Sequence, residues 1–111
     1  IEKNTFITNT KSIYEIVGER PAMEFNKKTN ALLKITESIY KKARLKFRHT
    51  STGGGSDGNY LSALGIPVLD GLGPIGGNLH TELEYLQIDS ISKRGAILGS
   101  LILQLSSCSK I

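Results

Sequence analysis

Three features of this chain have side chains or backbone suited to chemistry: Arg20, the loop TGGGSDGN from Thr52 to Asn59, and His80. An arginine grips a carboxylate through a rigid fork of paired N–H donors. Its alternative role is a surface ion pair with Glu19, Glu24 or another acid. The glycine run Gly53, Gly54 and Gly55 is costly, because glycine loses more backbone freedom on folding than any other residue. Such a run makes sense where a ligand must meet the backbone without a Cβ in the way. Set between a strand and a helix, its N–H groups suit a phosphate or a carboxylate. The competing reading is a tight turn in which Ser56 and Asp57 cap the following helix. The loop lacks the Gly-Lys-Ser/Thr ending of phosphate-binding loops and the dinucleotide fingerprint.

His80 lies in GGNLHTE, among turn residues. A lone histidine is more often a hydrogen-bonded structural residue than a metal ligand, and a metal asks for three or four ligands. Two histidines, one cysteine and scattered carboxylates give no ligand pair at helical spacing. His80 therefore does not complete a metal site from this chain alone. Asp70 reads as a turn residue before Gly71, and His49 has no evident partner. Ser106, Ser107 and Ser109 read as a frayed tail, and no serine pairs with a base.

The elements that must position these residues follow from periodicity. SIYEIVGERPAMEF alternates as a strand that Pro21 ends, with Arg20 held extended before the proline. NKKTNALLKITESIYKKARLKF is an amphipathic helix starting near Thr29. Leu32, Ile35, Ile39 and Ala43 form its core stripe, and Lys34, Glu37, Lys41 and Lys42 lie mostly opposite. LKFRHT follows as a short strand. Beyond the glycine loop, GNYLSALG is a short helix stopped by Gly65, and IPVLDGLG is an apolar strand. GPIGGNLHTELEY is a turn-rich loop. A last helix, capped by Asp89 or Ser90, has the stripe Ile91, Leu98, Leu101 and Leu105. The alternation is an α/β pattern, with the opening strand set apart as another structural unit.

The bulk properties narrow the class. A chain of 111 residues makes one ordinary domain, and 39 % hydrophobic with 22 % charged residues is a globular composition. The net charge of +4 is mild. Its densest cluster, KKARLKFR, reads as a solvated helix face rather than a nucleic-acid stripe. The apolar run AILGSLILQL is too short and interrupted to span a bilayer. A single cysteine, Cys108, forms no internal disulfide and fits a reducing, cytoplasmic setting.

Together, ERPAME, a helix, and TGGGSDGNYLSALGIPVLDGLGPIGGNLHTELEY resemble the C-terminal part of an M20-family metallopeptidase of the glutamate carboxypeptidase type. The resemblance runs from about Ser12 to Leu105, and Gly53 to Tyr85 is its most specific piece. It implies an α/β fold: a zinc-dependent catalytic domain with a smaller ferredoxin-like lid inserted, often used for dimerisation. Residues 1–20 would end the lid, its last strand reaching about Val17. Residues 21–111 would be the C-terminal part of the catalytic domain.

The resemblance also assigns roles. His80 would close the coordination of one of two zinc ions, as a neutral imidazole. Arg20 would bind the substrate's C-terminal carboxylate. Gly55 would lie backbone-first against the substrate, with Gly54 and Ser56 beside it. Ser56, Asp57 and Asn59 would shape the loop and cap the helix. The family's His-x-Asp motif, bridging Asp, Glu–Glu pair, further carboxylate ligand and lid histidine are not in this sequence. The chain thus carries no general base and is expected to be inactive and zinc-free by itself, as a fragment of a larger enzyme. That parent would hydrolyse an amide bond next to a free carboxylate, in a peptide or acyl amino acid, and dimerise through the lid. The same scaffold serves N-acyl amino acid deacylases and dipeptidases, and a non-catalytic α/β interaction module is the reading from another class. Neither nucleic acid nor membrane is an expected partner. Cutting an α/β domain uncovers apolar faces, so the fragment is expected to self-associate. IEKNTFITNTKS is the stretch expected to depart most from its parental conformation.

Overall fold

The computed structural model describes residues 7–107; Cys108, Ser109 and the first half of IEKNTFITNTKS lie outside them. Three helices and one small hairpin follow in order: α1 (Lys27–Lys42), α2 (Gly58–Ala63), β1 (Gly76–Gly77), β2 (Tyr85–Leu86) and α3 (Ile88–Ser106).

Helix α1 starts two residues before the expected Thr29, because Asn26 is the cap. Its Oδ1 accepts from Thr29 N at 3.0 Å, satisfying one of the orphan donors of the first turn. At the other end Lys41 and Lys42 face the negative pole of the helix dipole. The chain then reverses at Arg44, whose φ is 56°. Leu45 N donates to Tyr40 O at 2.9 Å and Arg44 N to Lys41 O at 3.0 Å. This is the double bond pattern of a Schellman stop, with arginine where glycine is usual.

The core lies between α1 and α3. Leu32, Ile39 and Tyr40 meet Ile97 and Leu101, with Ile35, Leu45, Phe47, Leu69, Leu72 and Leu105 packed at the margin. On α1 the expected stripe is half right: Leu32 and Ile39 are buried, Ile35 is partly buried, and Ala43 is exposed at the helix end. Thr36 is fully buried and returns its hydroxyl to Leu32 O at 2.9 Å. On α3 the stripe is rotated. Ile97 and Leu101 face inward while Ile91 and Leu98 are exposed.

Neither Asp89 nor Ser90 caps α3. Gln87 holds that position without a side-chain bond. Ser90 is buried and bridges instead: its Oγ donates to Gln87 O at 2.5 Å and accepts from Ile75 N at 2.8 Å. This ties the helix start to the hairpin, where Gly76 pairs with Leu86 and Gly77 with Tyr85 in antiparallel register. A Cβ on Gly76 would fall 2.5 Å from the Tyr85 carbonyl oxygen, a backbone atom that the pairing holds in place, so this register favours glycine there.

The expected strands at 12–18, 45–50 and 66–69 do not form; among the described residues the only sheet is the two-stranded hairpin. A strand is stabilised through its pairing neighbours, and none flanks these stretches. Residues 12–18 are exposed throughout, with Val17 93 % exposed. Leu45, Phe47 and Leu69 pack on the helix pair without joining a sheet. The radius of gyration is 19.6 Å, against about 13 Å for a compact chain of this length. Helices with a small sheet are compatible with a portion of an α/β peptidase domain. No helix among the described residues is long and apolar enough to cross a membrane.

Candidate functional site

The glycine loop is built by its own polar side chains. Ser56 Oγ accepts from Gly58 N at 3.2 Å, and Asn59 Oδ1 accepts from Ser56 N at 3.1 Å. Only the second is the bond of a capping box, with asparagine in place of the usual Glu or Gln; the Ser56 hydroxyl takes the N–H two residues on instead of three. Thr52 Oγ1 accepts from Gly54 N at 3.3 Å. Asn59 is buried, 8 % exposed. Its other end, Nδ2, donates to Pro21 O at 2.7 Å. One asparagine therefore fixes the cap and clasps the Arg20–Pro21 segment onto the loop.

The clasp lays Arg20 on the glycines. A Cβ on Gly55 would stand 2.8 Å from Arg20 Nη1 and 3.1 Å from its Cδ. The guanidinium carbon sits 5.5 Å from the Tyr60 ring centroid, within the range of cation–π attraction. Nη2 pairs with Asp57 Oδ1 at 3.5 Å. The ion-pair alternative weighed for Arg20 is thus realised with Asp57, not with Glu19 or Glu24. Arg20 lies against Gly55 and reaches Asp57 across 37 positions of sequence. The N–H groups of Gly53 and Gly55 make no hydrogen bond among the described residues.

A cavity of about 570 Å³ opens beside the loop, lined by Gly54 and Ser56 and by the apolar Leu33, Phe47, Val68 and Leu72. His49, without an evident partner in the sequence, stacks on Phe25 here at 6.5 Å between centroids. It also meets Phe47 at 6.1 Å. Asp70 stands on the rim, exposed, before the positive-φ Gly71.

His80 does not line this cavity. It sits in the turn between β1 and β2, exposed, with φ at 65°; Asn78 nearby has φ at 56°. The turn is held by Thr81 Oγ1, donating to Asn78 O at 2.7 Å, and by His80 N, donating to Glu84 Oε2 at 3.4 Å. No hydrogen bond engages the imidazole among the described residues. A histidine at positive φ is uncommon, and such strain concentrates where a side chain is needed in one place.

The model of peptidase family M20/M25/M40 matches residues 8–104. The chain belongs to this peptidase family. No curated protein and no solved structure matches it. As an M20-family chain it comes from a group of hydrolases that are generally metal-dependent. Its own described residues do not make a metal centre: no three His, Cys, Asp or Glu side chains gather where an ion could be held.

Two contributors were not singled out from the sequence. Tyr60 carries no motif signal, yet its ring backs Arg20. Arg94 brackets the loop after the 66–69 stretch. Its Nη2 donates to Gly71 O at 2.6 Å, its Nε to Gly73 O at 2.8 Å, and its Nη1 to the Tyr40 hydroxyl. No spacing signal marks Arg94, which follows Lys93 directly in the polar first half of α3.

Proposed function

We propose that this M20-family chain is the C-terminal part of a metallopeptidase that hydrolyses an amide bond next to a free carboxylate, of the glutamate carboxypeptidase kind. Its share of the work is to receive that carboxylate. The observation that carries this reading is Arg20, held by the Asn59 clasp on a backbone stripped of Cβ atoms. Arg20 supplies charge-assisted donors. Gly55 leaves the approach open, and the free N–H groups of Gly53 and Gly55 face no internal competitor. Two zinc ions, held by ligands outside this chain together with His80, would supply the activated water and the charge for the developing oxyanion.

The test has two parts. N-acetyl-L-glutamate is titrated into this chain at fixed ionic strength, and the backbone amide resonances of Gly53, Gly54 and Gly55, present in every variant, are followed by NMR. Saturable binding that Arg20→Gln abolishes supports the reading; equal binding by Arg20→Gln refutes it. In the longer polypeptide carrying this segment, zinc content and acyl-glutamate hydrolysis are measured with and without His80→Ala. A metal-free parent indifferent to that change would make the chain an interaction module instead.

A further inference from the structure

Asp57 is the loop residue whose position the capping network does not explain. It precedes α2, yet its side chain makes no capping bond. Ser56 and Asn59 carry that duty. Its side chain is 97 % exposed, and its contact is Arg20 Nη2 at 3.5 Å.

The geometry of a guanidinium makes that contact consequential. Nη1 lies on the Cδ side, in keeping with both atoms facing the Gly55 position. The two edges that present paired donors are therefore Nη1–Nη2 and Nε–Nη2. Both include Nη2, the atom that Asp57 engages. Nη2 has one N–H on each edge, so Asp57 holds the Nη2 donor of one edge; a carboxylate that grips that edge with two oxygens must displace it, and one on the other edge still meets its charge. Tyr60 lies over the guanidinium, so the exchange proceeds at the edge.

We propose that Asp57 is an intramolecular competitor for the Arg20 fork, a counter-ion that a ligand carboxylate displaces on binding. This rests on the reading of Arg20 as the carboxylate receptor. In the free chain the pair neutralises the cation. In the bound chain Asp57 swings into water at little cost, since it is already solvated and caps nothing. The pair lowers affinity for carboxylates at this fork.

The test is a comparison of three variants with N-acetyl-L-glutamate as the probe, its neutral diamide as control, and ionic strength held constant. Asp57→Asn keeps the shape and removes the charge. Glu19→Gln removes the same charge beside Arg20 in sequence without touching the pair, so it reports the general electrostatic effect. An exposed ion pair supports an affinity gain of about two- to five-fold for Asp57→Asn, with Glu19→Gln near wild type and the diamide not binding. Equal affinities for Asp57→Asn and Glu19→Gln, with Arg20→Gln inert, overturn the competitor role and leave the carboxylate reading standing. Binding that survives Arg20→Gln, or no binding by wild type and Asp57→Asn alike, overturns both.

Discussion

Replacing Asn59 with alanine removes both ends of the clasp at once. Ser56 N loses its acceptor at 3.1 Å, and Pro21 O loses its donor at 2.7 Å. Each such bond contributes about 1 kcal/mol net, so Asn59→Ala is expected to destabilise the chain by about 2 kcal/mol. Urea slopes for small proteins are about 1–3 kcal/mol per molar. The unfolding midpoint should then fall by about 1 M. Asn59→Asp separates the two functions. It keeps an acceptor for Ser56 N but turns a carboxylate oxygen toward the Pro21 carbonyl, so the cap survives and the clasp opens. Circular dichroism in urea reads the stability, and the Arg20 Nε–H resonance reads the position of the arginine. The expected pattern is a shifted Arg20 resonance in both variants, with the larger midpoint loss in alanine. A stability loss under about 0.5 kcal/mol for alanine, the range of neutral surface changes, would refute the clasp. So would an unshifted Arg20 in the aspartate variant.

Four further outcomes are expected. Gly55→Ala should leave stability nearly unchanged, because its Cβ meets only the flexible end of Arg20; by moving that arginine it should weaken N-acetyl-L-glutamate binding about ten-fold, the worth of one charged hydrogen bond. His80→Gly should raise stability by about 0.5–1 kcal/mol by relieving a side chain at positive φ, less glycine's own entropy, as differential scanning calorimetry would read. Arg94→Leu should cost about 2–3 kcal/mol through its lost bonds to Gly71, Gly73 and Tyr40, and Arg94→Lys, lacking the fork, should not restore it in urea titrations. Light scattering should find the chain self-associated, since Ile13, Val17, Ile102 and Leu103 are all more than half exposed; a monomer at high concentration would speak against this.

What the sequence made legible is what local chemistry determines. The three helices were readable because caps, breakers and amphipathic spacing lie within a few residues of the elements they define. Gly65 stops the α2 region with φ at 79°, as its place at the end of GNYLSALG suggested. Strands were over-read. IPVL and LKF have the right residues, but a strand is completed by its neighbour, and alternation says nothing of whether one is there. The α3 stripe was misjudged because the helix is apolar on several sides. Of the expected stripe, Leu101 is buried and Leu105 packs at the core margin, while Ile91 and Leu98 give way to Ile97, and only packing on α1 chooses. In the site, Arg20 and the glycine loop were each visible. Their junction was not, because it depends on one asparagine reaching a carbonyl 38 positions away. Tyr60 and Arg94 act through a ring face and a planar fork, which leave no spacing pattern.

The Arg94 bracket bears on when the fold is made. Tyr40 and Arg94 are 54 positions apart, and Arg94 and Gly71 are 23 apart. Closing such loops costs chain entropy before any contact rewards it. Helix α1, stopped at both ends by its own backbone and caps, needs no such closure. The bracket therefore sets only after α1 and α3 have met, on the native side of the folding barrier. Changes at Arg94 should hasten unfolding while leaving the refolding rate nearly untouched. This arginine governs how long the fold lasts, and α1 how quickly it is reached.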